Sequence, residues 1–185
     1  MTVGWFARLP NFISIARLVL APVVIDTMVS GRWRVAFFIF LAAVASDGLD
    51  GWLARTFSLR SELGALLDAL ADKVLIVSVV AALLTVEQIP VTLAILVISR
   101  DVMIVGAVVI SSLVDRPLEI RPLLVSKANT LAQFILLAAF LAKQAFPIEL
   151  GFFVNSLEVM VAVLTIASGS VYLWRWVEHM SSGGS

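Results

Sequence analysis

Long apolar segments alternate with short polar breaks along the whole chain, from residue 12 to residue 177. A helix that spans a bilayer needs roughly 20 mostly apolar residues, and several segments approach that length. The breaks between them are short and polar, and all but the one at residues 56–61 contain glycine or proline, which end helices. The pattern predicts membrane-spanning helices over Phe12–Val29, Trp33–Leu53, Leu63–Val86, Ile89–Leu113, Leu123–Phe146 and Leu150–Val177.

The composition supports a membrane environment. Of the 185 residues, 61% are hydrophobic and 14% are charged, whereas soluble domains are nearer half apolar and a quarter charged. Because spanning helices satisfy their own backbone groups, such a composition favours helices over a barrel with a polar lumen. The formal net charge of +0 provides no basic field for nucleic acid, and the absence of cysteine excludes disulfides and thiolate metal sites.

The distribution of lysine and arginine predicts the orientation. Six helices place both termini on one side, and cytoplasmic loops of membrane proteins carry an excess of Lys and Arg. The side of the termini would hold Arg8, Arg55, Arg60, Arg116, Arg121, Lys127 and Arg175, and the other side Arg32, Arg34 and Lys143. Both termini are therefore predicted to be cytoplasmic.

Four aspartates interrupt the second and third predicted helices near their cytoplasmic ends: Asp47, Asp50, Asp68 and Asp72. A charge at the bilayer centre costs about 2.5–3.5 kcal/mol on insertion scales, so these side chains cannot face lipid. We expect them to share a polar cavity open to the cytoplasm.

The spacing of the aspartates indicates a metal site. Asp47 and Asp50 are three residues apart, and Asp68 and Asp72 are four apart, so each pair lies on one helical face. A short loop makes the two helices antiparallel neighbours, so that the pairs can face each other. Mg²⁺ and Mn²⁺ prefer such oxygen ligands, and Mg²⁺ commonly holds substrate phosphates. The cavity is therefore predicted to bind a phosphate ester.

Other interpretations of these carboxylates remain open. Intramembrane aspartates also form the cation sites of transporters, which would make the protein a cation-coupled membrane transporter. They could instead pair structurally with Arg17, Arg55 or Lys73 in a membrane subunit without catalytic activity.

The aspartates belong to a longer pattern, D-x-x-D-G-x-x-A-R followed after eight residues by G-x-x-x-D-x-x-x-D. This pattern resembles the signature of the CDP-alcohol phosphotransferase family. The segments "LPNFISIARLVLAPV", "RDVM" and "SKANTLAQ" are further similar to the eukaryotic-type cardiolipin synthases of that family. The matching positions are Asp47, Asp50, Gly51, Ala54, Arg55, Gly64, Asp68 and Asp72.

The resemblance implies an activity and the roles of several residues. CDP-diacylglycerol would bind with its diphosphate at Mg²⁺ or Mn²⁺, an alcohol would attack the β-phosphorus, and CMP would leave. Asp47, Asp50, Asp68 and Asp72 would hold the metal, and Asp72 would also be the catalytic base. The cytidine diphosphate would be bound by Gly51, Ala54, Arg55 and Gly64, with Asn11 and Arg17 nearby.

The acceptor alcohol is predicted from three basic residues. Arg100, Arg121 and Lys127 would form a basic wall, which suits an acceptor that carries phosphate. Phosphatidylglycerol and glycerol 3-phosphate both qualify, and the "SKANTLAQ" segment favours phosphatidylglycerol, which would give cardiolipin. The alternative for Arg100 is an ion pair with Asp101 or another carboxylate.

The resemblance also implies the organisation of the protein. Residues 1–180 would form one transmembrane domain, followed by a flexible tail at 181–185. The family is typically homodimeric, so we expect a homodimer surrounded by membrane lipids. The expected location is a bacterial or mitochondrial inner membrane, with the active site facing the compartment that holds the termini.

Overall fold

The computed structural model of the protein describes residues 9–56, 62–114 and 124–182. Within these ranges, the side chains of residues 9–13, 47–56, 62–69, 108, 112 and 182 lie outside the described part. The described residues form α-helices and turns, with no strand among them. The helices are α1 (Leu9–Val29), α2 (Trp33–Thr56), α3 (Glu62–Thr85), α4 (Val91–Leu113), α5 (Leu124–Ala145) and α6 (Gly151–Ser182).

Except at the end of α6, the helix ends lie within three residues of the predicted ones; α1 begins earlier, at Leu9, and α2 ends later, at Thr56. Two other differences have local causes. α4 begins at Val91 rather than Ile89 because the ring of Pro90 disfavours helical backbone at the preceding residue. α6 extends to Ser182, beyond the predicted end at Val177, because no proline or glycine lies between Val177 and Gly183.

Two of the polar breaks are helix C-caps of the same type. After α1, the amide of Arg32 donates to Thr27 O at 2.8 Å and that of Gly31 donates to Met28 O at 3.0 Å. This pair of bonds is a Schellman motif, in which the residue at the Gly31 position has positive φ, here 71°. α3 ends with the same two bonds, but the positive-φ position is Glu87, with φ 56°.

Contacts divide the chain into two compact units. The first comprises residues 1–88 and 137–150, and the second comprises residues 89–136 and 151–185. In the first unit, α1 packs against both α2 and α3. Apolar side chains of all sizes fill this core, which includes Ala21, Val24, Met28, Ala36, Phe40, Ala43, Leu75, Ile76, Val79 and Leu83.

In the second unit, α4 packs against α6. Its apolar core includes Leu93, Val97, Val154, Leu157 and Val161, yet polar side chains are buried beside it. Large apolar side chains on the outside of these helices are more than half exposed, among them Val102, Phe152 and Val163. An apolar exterior around a partly polar interior is typical of helices that lie in lipid.

Three helices are long and apolar enough to cross a membrane within the described residues: α4 over Val91–Ser111, α5, and α6 over Gly151–Ser181. The all-helical structure therefore fits a membrane protein. Because parts of α1, α2 and α3 have side chains outside the described part, the six predicted spans and the side of the termini stay predictions.

Candidate active site

The four predicted metal ligands lie on two helices of the first unit. Asp47 and Asp50 belong to the second half of α2, and Asp68 and Asp72 belong to the first half of α3. Asp72 is the member whose side chain is described. The side chains of the other three lie outside the described residues, so the convergence of the four carboxylates stays a prediction.

The same holds for most of the predicted CDP-binding residues. Asn11 is part of α1, Gly51, Ala54 and Arg55 are part of α2, and Gly64 is part of α3, but the side-chain description does not include them. Arg121 lies outside the described residues altogether. Arg17 and Asp72 are therefore the two predicted residues of this site that the structure describes in atomic detail.

Arg17 and Asp72 form an ion pair between α1 and α3. Arg17 Nη1 lies 2.5 Å from Asp72 Oδ1 and donates a hydrogen bond to it. The Arg17 side chain is 1% exposed, whereas that of Asp72 is 21% exposed. Both residues lie at similar depth, roughly 12 and 15 Å from the starts of their helices at 1.5 Å per residue.

The ion pair with Arg17 holds the side chain of Asp72, the last of the four predicted metal ligands, in one orientation. A buried guanidinium is costly unless a carboxylate compensates it, so the helix pair strongly favours this arrangement. Arg17 thereby contacts one of the four predicted metal ligands, while its role in binding the cytidine diphosphate stays a prediction. The structural pairing with Arg17, which the sequence left open, also occurs here for Asp72.

Arg100, in the second unit, is also a buried arginine that pairs with a carboxylate. It is 4% exposed, and its Nη1 donates to Asp101 Oδ1 at 2.7 Å. Its Nη2 donates to Ser126 Oγ on α5 at 2.6 Å and to Ser168 Oγ on α6 at 2.7 Å. The ring of Tyr172 lies 5.9 Å from the guanidinium carbon. The pairing with Asp101 that the sequence offered as the alternative is present.

Lys127 differs from Arg100 in its surroundings. It is exposed in the first turn of α5 and makes no hydrogen bond or ion pair within the described residues. A role of Arg100, Arg121 and Lys127 as a basic wall for the acceptor stays a prediction.

A polar stripe on α5 continues from Ser126 to Asn129 and Gln133. Asn129 is fully buried, and its Oδ1 accepts a hydrogen bond from Thr165 on α6 at 3.0 Å. Gln133 is 2% exposed, and its amide nitrogen and oxygen lack a hydrogen-bond partner within the described residues. All three residues lie in the "SKANTLAQ" segment, but individual roles for them were not predicted. Their spacing of three and four in an apolar helix is a signal that could have identified them.

A family model for CDP-alcohol phosphatidyltransferase matches residues 7–170. The chain belongs to this family. This match confirms the family that the sequence predicted.

Curated relatives in this family have two activities in their names. Over 179 residues the chain is 34% identical to a cardiolipin synthase (CMP-forming) / mitochondrial hydrolase fusion protein of Schizosaccharomyces pombe, covering 89% of the chain and 30% of the relative. It is 34% identical to a cardiolipin synthase (CMP-forming) of Homo sapiens, covering 89% and 60%.

A third relative is named for glycerol 3-phosphate as its acceptor. The chain is 38% identical to the chloroplastic CDP-diacylglycerol--glycerol-3-phosphate 3-phosphatidyltransferase 1 of Oryza sativa subsp. japonica, covering 88% of the chain and 55% of the relative. The chain thus spans between 30% and 60% of the length of these three CDP-alcohol phosphatidyltransferases.

Proposed function

We propose that the protein transfers the phosphatidyl group of CDP-diacylglycerol to a hydroxyl group of phosphatidylglycerol, giving cardiolipin and CMP. Membership of the CDP-alcohol phosphatidyltransferase family supports the class of reaction, the transfer of a phosphatidyl group to an alcohol. The names of the fission yeast and human relatives support the choice of acceptor. The signature aspartates, with Asp72 held by the buried Arg17, supply the chemical groups that the reaction needs.

In the proposed reaction, the acceptor hydroxyl oxygen attacks the β-phosphorus of CDP-diacylglycerol. The new phosphorus–oxygen bond forms as the bond to the CMP oxygen breaks, and CMP leaves with the bonding electrons. The Asp72 carboxylate accepts the hydroxyl proton as general base. The ion pair with Arg17 orients Oδ1 of Asp72, and this pre-organisation contributes to the rate by positioning.

The donor set suits a divalent metal. Asp47, Asp50, Asp68 and Asp72 offer carboxylate oxygens, which are the ligands that Mg²⁺ and Mn²⁺ prefer. These four residues would hold the ion, which, when bound, neutralises charge on the diphosphate and stabilises the leaving group.

We assign the remaining predicted residues to the two substrates. Gly51, Ala54, Arg55 and Gly64, with Asn11 and Arg17, would bind the cytidine diphosphate. Glycine permits close approach of the backbone, and arginine binds phosphate oxygens. Arg100, Arg121 and Lys127 would bind the phosphate of the acceptor.

A second candidate function is the synthesis of phosphatidylglycerophosphate, with glycerol 3-phosphate as acceptor. The rice relative, which is named for this acceptor, has the highest identity of the three, at 38%. The same basic residues would bind its phosphate, so the two acceptors have to be distinguished by assay.

The assay uses the purified protein in vesicles with labelled CDP-diacylglycerol, Mn²⁺ or Mg²⁺, and each acceptor separately. We expect CMP release and labelled cardiolipin with phosphatidylglycerol, and at most about one tenth of that rate with glycerol 3-phosphate. A lipid product with glycerol 3-phosphate alone would favour the second candidate. A cation-coupled transporter would give cation flux in the same vesicles without CMP.

We further propose six spans with both termini cytoplasmic, in a homodimer located in a bacterial or mitochondrial inner membrane. Because the chain has no cysteine, single introduced cysteines report the topology directly. The variants Ser30→Cys and Glu87→Cys should react with an impermeant maleimide from the side opposite the termini. Cysteine at Ser181 should react only from the side of the termini. Equal labelling of all three from one side would contradict six spans.

A further inference from the structure

Two of the three guanidinium nitrogens of Arg100 donate hydrogen bonds. Its two Nη2 hydrogen bonds go to Ser126 and Ser168, and Nη1 donates to Asp101. Arginine has five N–H donors, and the Nε–H is buried without a hydrogen-bond partner within the described residues. A buried N–H without an acceptor costs about 1–3 kcal/mol, so Nε marks the side of the guanidinium where an acceptor oxygen is missing.

α6 supplies most of the contacts that set this orientation. Ser168 is fully buried and accepts the Nη2 hydrogen bond. A Cβ on Gly169 would lie 3.7 Å from Arg100 Cγ, so a side chain at this position would be in van der Waals contact with the aliphatic stem. Tyr172, one turn after Ser168, places its ring 5.9 Å from the guanidinium.

We propose that Ser168 and Tyr172 are positioning residues that present the Nε–H of Arg100 to the phosphate of the acceptor. This inference rests on the proposed acceptor-binding role of Arg100. Since hydrogen bonds weaken steeply when donor and acceptor are misaligned, a guanidinium free to rotate would bind phosphate oxygens less well. The serine hydroxyl of α6 removes that freedom by fixing Nη2 together with Ser126.

The test compares Ser168→Ala with Ser170→Ala, a matched control on the exposed side of the same helix. We expect Ser168→Ala to raise KM for phosphatidylglycerol or glycerol 3-phosphate, whichever the wild-type protein uses, about tenfold, as for the loss of one hydrogen bond to a charged group. The KM for CDP-diacylglycerol and the kcat should change less than about twofold. Ser170→Ala should change none of these parameters.

Two further variants separate the possible failures. Arg100→Gln should raise the same acceptor KM at least as much as Ser168→Ala. If Arg100→Gln has no such effect, the acceptor role of Arg100 in the proposed function is wrong. If Arg100→Gln has it and Ser168→Ala does not, the positioning role alone is wrong. Should Ser168→Ala fail to fold, Tyr172→Leu must show the same selective rise in acceptor KM. A fall in kcat without a selective rise in the acceptor KM would show a merely structural role and overturn the inference.

Discussion

Replacing Asp72 with asparagine is expected to slow CMP release from CDP-diacylglycerol by roughly 10²–10⁴-fold, the range for losing a general base. Asparagine has nearly the shape of aspartate but cannot take the proton of the acceptor hydroxyl. It also removes one negative charge from the predicted metal site, which adds to the loss. The rate is measured as labelled CMP released from vesicles that contain the purified protein.

Asp26→Asn is the control for this experiment. Asp26 is an exposed aspartate near the end of α1, and it pairs with Arg32 outside the predicted site. We expect this variant to keep the wild-type rate. Wild-type CMP release by Asp72→Asn would refute the assignment of the base, whereas equal losses in both variants would show that the effect is not specific to the site.

Asp72→Asn is also expected to destabilise the first unit, because it leaves the buried guanidinium of Arg17 without its carboxylate. Removing one partner of a buried ion pair costs roughly 3–5 kcal/mol. We expect the lower end of that range, since the Asp72 side chain is itself 21% exposed and so is only partly desolvated in the ion pair. Arg17→Met should recover much of the stability in the double variant, because it removes the buried charge that has lost the Asp72 carboxylate.

The measurement is a double-mutant cycle on the free energy of unfolding in detergent, with Arg17→Met, Asp72→Asn and the double variant. The matched pair is Asp26–Arg32, which has the same separation of 2.5 Å but side chains 66% and 55% exposed. A surface pair is worth about 0–1 kcal/mol, so Arg32→Met should have little effect. Equal coupling in the two pairs would mean that burial does not strengthen the contact between α1 and α3.

The helices could be predicted from the sequence because their ends depend on local chemistry. Pro90 determines the start of α4, and Gly31 allows the positive φ that ends α1. Glu87 shows the limit of such rules. It adopts the same cap conformation without being glycine, because the two Schellman hydrogen bonds and the following Ile89-Pro90 segment determine the backbone there.

The partners of the buried charges were harder to predict. Helical periodicity places Asp72 on one face of its own helix, but it does not say which neighbouring helix that face meets. Arg17, Arg55 and Lys73 were all possible partners, and the packing of α1 against α3 selects Arg17 for the described ion pair. Ser168 was missed for the same reason, since a serine in an apolar helix has no distinct pattern until its partner is known.

The polar stripe on α5 has a consequence for how this protein is made. With Ser126, Asn129 and Gln133 on one side, α5 is the least apolar of the three candidate spans. If α5 entered lipid alone, its amide side chains would lose their hydrogen bonds to water before a neighbouring helix could supply new ones. Asn129 finds its hydrogen-bond donor, Thr165, on α6, which is synthesised next. Biogenesis should therefore favour co-insertion of α5 and α6 as a helical hairpin, and a ribosome paused between them would leave α5 poorly retained.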